Sequence, residues 1–599
     1  MILDSISKPS DIKSLSIDQL EVLCSELRSE IVRLVSKNGG HLGSNLGAIE
    51  LIVAIYYVFD IEIDRLLFDV GHQSYVHKLL SGRRKLMENL RKAEGASGFP
   101  DPSESKYDHF ISGHASTSLS AALGIAKARD LKHENFKVIS ILGDGSLSGG
   151  MIYEAMNNIS KTPNFIVILN DNQMSISKSV GAMRGYLSKL LSTRSGLSFR
   201  KTLSSFLSKF PSKFSRKLEN FIKSTISAIK GGNIFEEFGF QYIGPTDGHN
   251  LKNLIKIFRN VRDIVNYKPV LIHTITQKGK GYIPAENDNT NLHGIDDSRG
   301  EKYSNVFGNK IIELAEKDEK IVCITAAMKN GTGLNKFAEK FSDRFFDVGI
   351  AEEHAVTFAA GLAKEGFKPY VCIYSSFLQR AFDQIFHDVV LQNLPVRFII
   401  DKAGFPGNDG KTHAGIYDIS MLQNFSNFII MTPSSKYELE CMLEFSIKQT
   451  QPLAIRFPKA EISNSDSNYE FHNKFRIINK GTKNLIIFFG DLLNAINKAI
   501  DISKTTPTII DGRFVQPFDF ETFYRYASIH DKIVILEEGV YGGTSNIILN
   551  TLMKNRKFDL IQKIQFLNIE KKIINHMSRI DQINNSSLSS SNLAKILLS

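Results

Sequence analysis

Short apolar runs recur along the chain and alternate with stretches whose apolar residues follow helical spacing. In the first half the runs are KVISILG at 137–143, FIVILN at 165–170 and PVLIHTIT at 269–276. Runs this short and continuously apolar predict strands buried on both faces, and the helical stretches between them predict parallel pairing. The pattern therefore indicates an α/β fold built from strand–helix–strand units.

The same alternation resumes in two further blocks. The second block extends from KIVCITAAM at 320–328 to PLAIRFPK at 452–459 and includes FFDVGI, KPYVCIY, VRFIID and FIIMTP. The third block contributes NLIIFFG, PTIIDG and KIVILEEG, and the polar stretch at 460–474 precedes it. We therefore predict a linker at 460–474 and three successive, doubly wound α/β domains over residues 1–300, 301–460 and 475–599.

Two predicted strands of the first block end in residues that suit a metal ion and a phosphate. Asp144 lies between Gly143 and Gly145, and Asn172 follows the next strand. Ligands of open α/β sheets bind outside the carboxyl ends of the strands, and glycine lets a phosphate approach the backbone closely. Carboxylate and amide oxygens suit Mg²⁺. A magnesium–diphosphate site is one interpretation, and two ordinary strand-to-loop turns are the other.

The net charge of +10 is concentrated in one segment. Residues 187–230 contain ten Lys and Arg residues against a single acidic residue, Glu219. A basic insert of this kind is not a basic face, so we expect no nucleic-acid partner. The insert is rich in Ser and Lys, and we expect a mobile, partly helical excursion over the fold.

The remaining composition indicates a reducing compartment and no membrane span. The longest apolar stretches, such as LIVAIYYVF at 51–59, are far shorter than the ~20 residues that a span requires. The N-terminus has no apolar leader core, and Ser16 with Gln19 fits a capping box that opens a helix. We expect a cytoplasmic protein with buried, structural thiols, because its cysteines are far apart in sequence: Cys24, Cys323, Cys372 and Cys441.

Several motifs resemble those of a known enzyme family. GDG followed by Asn172 resembles the thiamine diphosphate fingerprint, and AEEHAVTFAAGLA at 351–363 resembles the transketolase-type A-E-x-H-A segment. NGGHLGSNLG, DVGHQSYVHKLLSGRR, SGHASTSLSAALG, YSSFLQRAFDQIFHDV and DGKTHAG together resemble the 1-deoxy-D-xylulose-5-phosphate synthase family. The resemblance covers the chain apart from the basic insert and the linker, and it implies three transketolase-like domains.

The resemblance implies a thiamine-diphosphate-dependent, Mg²⁺-dependent transferase. It would condense pyruvate, with loss of CO2, and D-glyceraldehyde 3-phosphate to 1-deoxy-D-xylulose 5-phosphate. This product supplies isoprenoid precursors and also thiamine and pyridoxal phosphate synthesis. The resemblance also implies a homodimer. In such enzymes the cofactor supplies the electron sink, while the protein supplies geometry, proton transfer and exclusion of water.

The resemblance assigns Glu352 to the activation of the cofactor. A carboxyl in an apolar pocket keeps its proton and can share it with N1′ of the pyrimidine. Glu353 stands where many relatives have Gln, so two carboxylates compete for the role, and alignment favours Glu352. From the residues alone, both acids would be ordinary first-turn residues of a helix.

Further roles follow from the resemblance, residue by residue. Asp144, the Asn172 side chain and the Met174 carbonyl would bind Mg²⁺, and His41 and His413 would move protons near the reacting carbons. Phe377 would stack on the pyrimidine, whereas Phe382 is predicted to be ordinary core. The other cofactor contacts would be His72, Gly113, His114, Ala115, Gly145, Ser146 and Tyr282. The substrate contacts would be His293, Tyr374, Arg380, Lys402, Asp409 and Arg456.

Lys402 departs from the family pattern. Relatives usually show D-R-A-G where this chain has DKAG. Lysine keeps the positive charge but loses the planar fork with which arginine binds phosphate. We expect weaker binding of the phosphorylated aldehyde, with the chemistry retained.

Three alternative functions share part of this pattern. Transketolase, which transfers a two-carbon unit between sugar phosphates, would share the fold, the metal site and the glutamate. A 2-oxo acid dehydrogenase E1 component would pass its acyl group to a lipoyl partner, and the order of three domains in one chain disfavours it. A non-catalytic scaffold would be expected to lack the metal pair or the glutamate, and this chain has both.

Overall fold

The computed structural model describes residues 1–172, 181–192, 233–288, 292, 300–463 and 469–599. The chain forms two compact units. Unit 1 contains residues 1–90 and 95–296, and unit 2 contains residues 91–94 and 297–599. In the part of the chain that the structure describes, none of the helices combines the length and apolarity needed to cross a membrane.

Unit 1 is built on a parallel sheet with the strand order β1-β2-β3-β5-β4. The register pairs Gly143 with Asn170, so the carboxyl ends of β2 and β3 lie side by side. Asp144 and Asn172 therefore leave the sheet at neighbouring points. The strands are β1 (Arg65–Phe68), β2 (Val138–Gly143), β3 (Phe165–Asp171), β4 (Gln241–Asp247) and β5 (Val270–Ile275).

Apolar side chains on the two faces of this sheet enter separate cores. Ile139 and Ile141 of β2 pack in one cluster, and Val138 and Leu142 pack in the other. This alternation explains why the strands are continuously apolar, since each must satisfy two helical layers. The helices are Ile17–Asn38, Gly43–Gly47, Ile49–Val58, Tyr75–Leu80, Arg84–Met87, Ser118–Leu131, Gly150–Ile159, Ala182–Ser192, Ile234–Glu237, Leu251–Ile264 and Ile283–Asn287, with 3₁₀ turns at Ile2–Ser5, Pro9–Ser14 and Asp144–Ser148.

The predicted capping box at the first long helix is confirmed. The backbone N–H of Gln19 donates to the Ser16 hydroxyl over 3.2 Å, and the Ser16 N–H donates to the Gln19 side chain over 2.8 Å. The two bonds satisfy donors that the first turn of a helix otherwise leaves without partners. The helix therefore begins at Ile17, where the sequence predicts it.

Unit 2 contains two sheets. The first has the order β15-β10-β11-β9-β8-β6-β7 and the second has the order β12-β14-β13-β16-β17. Pairing is parallel except at β10 with β15 and β12 with β14. The strands are β6 (Ile321–Thr325), β7 (Phe345–Asp347), β8 (Lys368–Tyr374), β9 (Arg397–Asp401), β10 (Ile429–Met431), β11 (Leu453–Arg456), β12 (Arg476–Asn479), β13 (Asn484–Phe489), β14 (Thr508–Asp511), β15 (Phe514–Gln516), β16 (Lys532–Val540) and β17 (Ile564–Ile569).

Helices cover both sheets of unit 2. Residues 475–599 are called the C-terminal block. Because β15 belongs to the C-terminal block but pairs with β10, the two predicted domains share a sheet. The helices are Tyr303–Lys317, Asn335–Lys340, Glu352–Lys364, Ser375–Leu378, Phe382–Gln384, Asp418–Leu422, Lys436–Ile447, Leu493–Ser503, Phe520–Ala527, Thr544–Lys554, Phe558–Ile561, Arg579–Asn584 and Ser590–Leu598, with 3₁₀ turns at Ser342–Arg344, Gln379–Ala381 and Gly407–His413 and a π-helix at Ile385–Val390.

Every strand predicted from an apolar run is present, and the described residues contain five further strands that were not predicted. Strand β4 contains Gly244 and Pro245 and is largely exposed or half-buried, so it lacks the apolar run of a central strand. Strand β15 has only two apolar residues, Phe514 and Val515, between Arg513 and Gln516, so it shows no apolar run. The remaining unpredicted strands are β1, β12 and β17.

The structure differs from three further expectations, which concern Phe382, the cysteines and the linker. Phe382 is 40% exposed and its ring stacks on Phe425, so the prediction that it is a core residue is wrong. Cys24, Cys323 and Cys372 are buried, but Cys441 is only half-buried, because it lies in a surface helix.

The predicted linker is also packed where it is described. The Tyr469 hydroxyl donates to Glu438, and the Phe471 ring contacts that of Phe514. Residues 464–468 lie outside the described residues, as do residues 193–230 of the basic insert; residues 187–192 belong to a helix.

Candidate active site

Asp144 and Asn172 lie together at the carboxyl edge of the unit 1 sheet. Asp144 opens the 3₁₀ turn after β2, and the N–H of Asn172 points to its Oδ1 at 3.4 Å. Asp144 is buried, with 8% of its surface exposed. A carboxylate and an amide oxygen held at this edge suit Mg²⁺, which takes oxygen ligands. Met174, the third predicted ligand, lies outside the described residues.

A buried lysine that sequence reasoning missed lies close to this pair. Lys278 is 4% exposed, and burial lowers the pKa of its amine to about 8, while the charge of Asp144 acts in the opposite direction. A cation that is buried away from water can bind a phosphate group strongly. Its signal in the sequence is the first Lys of KGKGY at 278–282, the motif that also contains Tyr282.

Asp69 forms hydrogen bonds with two segments that contain predicted diphosphate contacts. Its carboxylate accepts the N–H groups of Ser116 at 2.8 Å and Ser118 at 3.1 Å, and it also accepts the Ser146 hydroxyl. These bonds bring the turn that contains Gly145 and Ser146 next to the loop that follows Gly113, His114 and Ala115. Asp69 precedes Val70, a β-branched residue with a φ of 58°, and such strain is common at functional sites.

His41 and His72 face each other in unit 1. Their ring centroids are 5.5 Å apart, and Asn45 holds both segments by donating to the carbonyl of His41 at 2.8 Å and of His72 at 2.7 Å. Burial lowers the pKa of His72 to about 3, and the positive charge of Lys278 acts in the same direction. The His72 ring is therefore neutral at physiological pH. Asn45 was also missed by sequence reasoning.

Tyr282 lies at the end of the same loop as Lys278. Its N–H donates to Gly279 at 3.0 Å, and the Gly279 N–H donates to Gly43 at 2.9 Å. The guanidinium of Arg28 donates to the carbonyl of Lys280 at 2.9 Å. These bonds fix the loop that contains Lys278 and Tyr282 against the segment that follows His41. His293 lies outside the described residues.

In unit 2, Glu352 is the first residue of its helix and is almost completely buried, with 1% of its surface exposed. Burial raises the pKa of its carboxyl to about 7, although Arg380, 3.5 Å away, opposes this shift. Glu353 is exposed. Of the two competing carboxyls, only Glu352 therefore has the apolar surroundings that keep a proton on the group.

Tyr374, Phe377 and His413 form an aromatic cluster. The Phe377 ring lies 5.8 Å from Tyr374 and 5.2 Å from His413, measured between centroids. The ammonium of Lys402 lies 3.8 Å above the Tyr374 ring, within the range of a cation–π interaction. The cluster brings four predicted residues of the second block together at the ends of β8 and β9.

Asp409 pairs with Arg91, a residue for which no sequence motif predicts a role. Arg91, which belongs to unit 2, donates to its carboxylate. Burial alone would raise the pKa of Asp409, but Arg91, Lys459 and Lys402 outweigh it and hold the pKa well below its usual range. Asp409 is therefore a stable anion in the segment that contains His413.

Arg456 is deeper than its predicted role suggests. Its guanidinium donates to Asp418 at 2.8 Å and to the carbonyl of Glu538 at 3.0 Å, and 4% of the residue is exposed. Arg380 likewise contacts Glu352. The two arginines thus make ion pairs within the protein, and their contact with a substrate phosphate stays a prediction.

Three families match successive parts of the chain. The family described as 1-deoxy-D-xylulose-5-phosphate synthase matches residues 3–276. The pyrimidine binding domain of transketolase matches residues 300–464, and the C-terminal domain of transketolase matches residues 473–590. Together with the parallel sheets, these matches confirm the predicted transketolase-like α/β fold.

A curated relative is similar over nearly the whole length. This chain is 44% identical over 572 residues to a 1-deoxy-D-xylulose-5-phosphate synthase of Clostridium tetani, covering 92% of both proteins. Among solved structures, a transketolase of Campylobacter jejuni is 17% identical over 98% of this chain and 100% of its own, with a TM-score of 0.42. A transketolase mutant of Pichia stipitis is 12% identical over 96% of both chains, with a TM-score of 0.43.

Proposed function

We propose roles for individual residues of a chain that belongs to the 1-deoxy-D-xylulose-5-phosphate synthase family. The enzyme is a thiamine-diphosphate-dependent transferase. It joins pyruvate to D-glyceraldehyde 3-phosphate with loss of CO2, and its product, 1-deoxy-D-xylulose 5-phosphate, supplies isoprenoid biosynthesis. The similarity to a curated synthase over 92% of the chain favours this activity over that of transketolase.

The donor set of unit 1 fits the metal and the diphosphate. Asp144 and Asn172 offer oxygen ligands for Mg²⁺, and Lys278 offers a buried cation to a phosphate oxygen. We assign Gly145, Ser146 and the loop at 113–115 to the same group, because Asp69 ties them together. When bound, thiamine diphosphate supplies a carbon nucleophile and an electron sink.

The buried carboxyl of Glu352 is the observation that carries the proposal. With a pKa of about 7, it is protonated in a large fraction of molecules at neutral pH and can give up the proton at little cost. We assign Glu352 to hold and move that proton at N1′ of the pyrimidine, and Phe377 to stack on the same ring.

The remaining residues would serve the substrates. We assign His41 and His413 to proton transfer at the reacting carbons, and His72 to accept or donate a hydrogen bond as a neutral imidazole. Asp409 would accept hydrogen bonds from substrate hydroxyls, since it stays ionised. Lys402 would neutralise the phosphate of the aldehyde, with Tyr374, Arg380, Arg456 and His293 as further candidate contacts.

A direct assay tests the proposal. Purified protein is incubated with pyruvate, D-glyceraldehyde 3-phosphate, thiamine diphosphate and Mg²⁺, and CO2 and the ketose phosphate are measured. We expect both products from the native chain and neither from Glu352→Gln. Glu353→Gln is the matched control, because its carboxyl is exposed. Full activity of Glu352→Gln would refute the assignment.

We also propose a homodimer, supported by an exposed aromatic surface in unit 2. Phe382 and Phe386 both stack on Phe425 and are 40% and 41% exposed, and Leu391 nearby is 61% exposed. An apolar patch of this kind is a common protein–protein interface. Sedimentation of the native chain and of Phe386→Lys would test it, with a monomeric native chain as the contrary result. A cytoplasmic location stays a prediction from the spacing of the cysteines.

A further inference from the structure

The segment that contains Asp409 and His413 is anchored in the C-terminal block, which contains none of the predicted site residues. We call residues 404–414 the acceptor loop. Its Phe405 is 4% exposed and packs in the same core cluster as Ile486, Phe488 and Leu593. One end of the loop is thus part of the hydrophobic core of the C-terminal block.

Two buried side chains of the C-terminal block bind the backbone of this loop. Gln582 accepts the N–H of Gly407 at 2.8 Å and donates to its carbonyl at 3.2 Å and to that of Asn575 at 2.9 Å. Glu538 accepts the N–H of Phe405 at 2.8 Å. Gln582 and Glu538 are 4% and 3% exposed, so water cannot replace these bonds.

Both side chains are held in turn. Arg579 donates to both carboxylate oxygens of Glu538, over 3.2 and 2.5 Å. Arg579 and Gln582 lie three positions apart on the helix Arg579–Asn584, so they share one face. The Gln582 side chain is fixed by Asn575 on its other side. A single helix of the C-terminal block therefore fixes the loop at two points.

The glycines of the loop fit this arrangement. Gly404 has a φ of 82°, and a Cβ there would lie 2.4 Å from Glu538 Oε1. Gly410 has a φ of 69°, and a Cβ there would lie 3.0 Å from the side chain of His576. Side chains at these positions would push the loop away from the C-terminal block, and the left-handed backbone also favours glycine.

We propose that the C-terminal block positions the acceptor loop, with Gln582 and Glu538 acting as positioning residues for Asp409 and His413. The inference rests on the proposed function, since the substrate roles of Asp409 and His413 are part of it. The C-terminal block thereby affects the binding of the phosphorylated aldehyde without contacting a substrate. Binding of pyruvate, which has no hydroxyl group for Asp409 to bind, should not depend on the hydrogen bonds of Gln582 and Glu538.

The variant Gln582→Met tests this in the full-length holoenzyme. It keeps the side-chain length but removes the bonds to Gly407, so we expect faster amide hydrogen exchange over residues 404–414. We expect the KM for D-glyceraldehyde 3-phosphate to rise at least about fivefold, with the KM for pyruvate within about twofold of the native value. Gln516→Met is the matched control. The Gln516 side chain also donates to backbone carbonyls, but those of Phe425 and Phe428, which lie outside the acceptor loop. It should leave both KM values unchanged.

The outcomes separate the hypotheses. Unchanged exchange at 404–414, or an equal rise of both KM values, overturns the positioning role. Faster exchange with an unchanged aldehyde KM overturns it as well. If the native protein makes no ketose phosphate but Gln582→Met still shows faster exchange at 404–414, the hydrogen bonds to the loop are supported and the proposed function is refuted. Should Gln582→Met fail to fold, Glu538→Gln removes the charge that Arg579 holds and is expected to give the same selective rise.

Discussion

Replacing Glu352 by glutamine is expected to stabilise the cofactor-free protein in alkaline buffer. Burial raises the pKa of this carboxyl from its ordinary value of 4.5 to about 7. An acid whose pKa is raised by folding favours the folded state only while it is protonated. The native chain should therefore lose stability as the pH rises from 4.5 through 7, whereas glutamine never ionises.

The magnitude follows from the shift. A shift from 4.5 to about 7 corresponds to roughly 3 kcal/mol at about pH 8, and the difference falls below about 1 kcal/mol near pH 5. The group is almost fully buried, so solvent screens it little. For a cooperative unit of this size the gain amounts to a melting temperature higher by roughly 5 °C. The same substitution removes the proton that the proposed chemistry needs, so stability is gained and activity is lost.

Calorimetry of the cofactor-free chain at a series of pH values is the assay. Glu353→Gln is the control, since an exposed carboxyl has no burial penalty to relieve. A gain that is independent of pH, or one that grows towards acid, would refute the argument from burial. An equal gain in the control variant would show that the effect is not specific to Glu352.

Three further predictions concern the ligands. Thiamine diphosphate with Mg²⁺ at a hundred times its Kd should stabilise the native chain by about 2.7 kcal/mol, and a melting curve of Asp144→Ala should lack this gain; retention of the full gain would contradict the metal assignment. Lys278→Met should weaken cofactor binding in titration calorimetry by roughly tenfold or more, unlike Lys280→Met from the same loop. Lys402→Arg should lower the KM for the phosphorylated aldehyde, and an unchanged or higher KM would show the prediction to be wrong.

The fold class could be predicted because its signal is local. Apolar runs such as FIVILN at 165–170 are buried on both faces, so the sheet is visible in the order of the residues. Strands that are short or half-exposed, such as β4 and β15, lack this signal. They exist because a neighbouring strand offers them an edge, which no local pattern records.

The candidate site divides in the same way. Asp144, Asn172 and Glu352 stand at the ends of strands or the start of a helix, in motifs that the sequence alone makes visible. The burial that raises the pKa of Glu352, and that leaves its neighbour Glu353 exposed, appears only when the helix is packed. Sequence therefore indicated which residue types carry the chemistry, and packing set their electrostatics.

By itself, the sequence determined the alternation of strand and helix, the motifs of the family and the substitution of Lys402 for an arginine. Only the tertiary structure decided which residues support them. Asn45 donates to the carbonyls of two histidines, Arg91 donates to Asp409, and Gln582 binds the backbone of Gly407. The partners lie 27 positions apart for Asn45 and His72, 318 for Arg91 and Asp409, and 175 for Gln582 and Gly407, so no local spacing links them. Their hydrogen bonds form because the folded backbone brings buried donors and acceptors together, where each must find a partner.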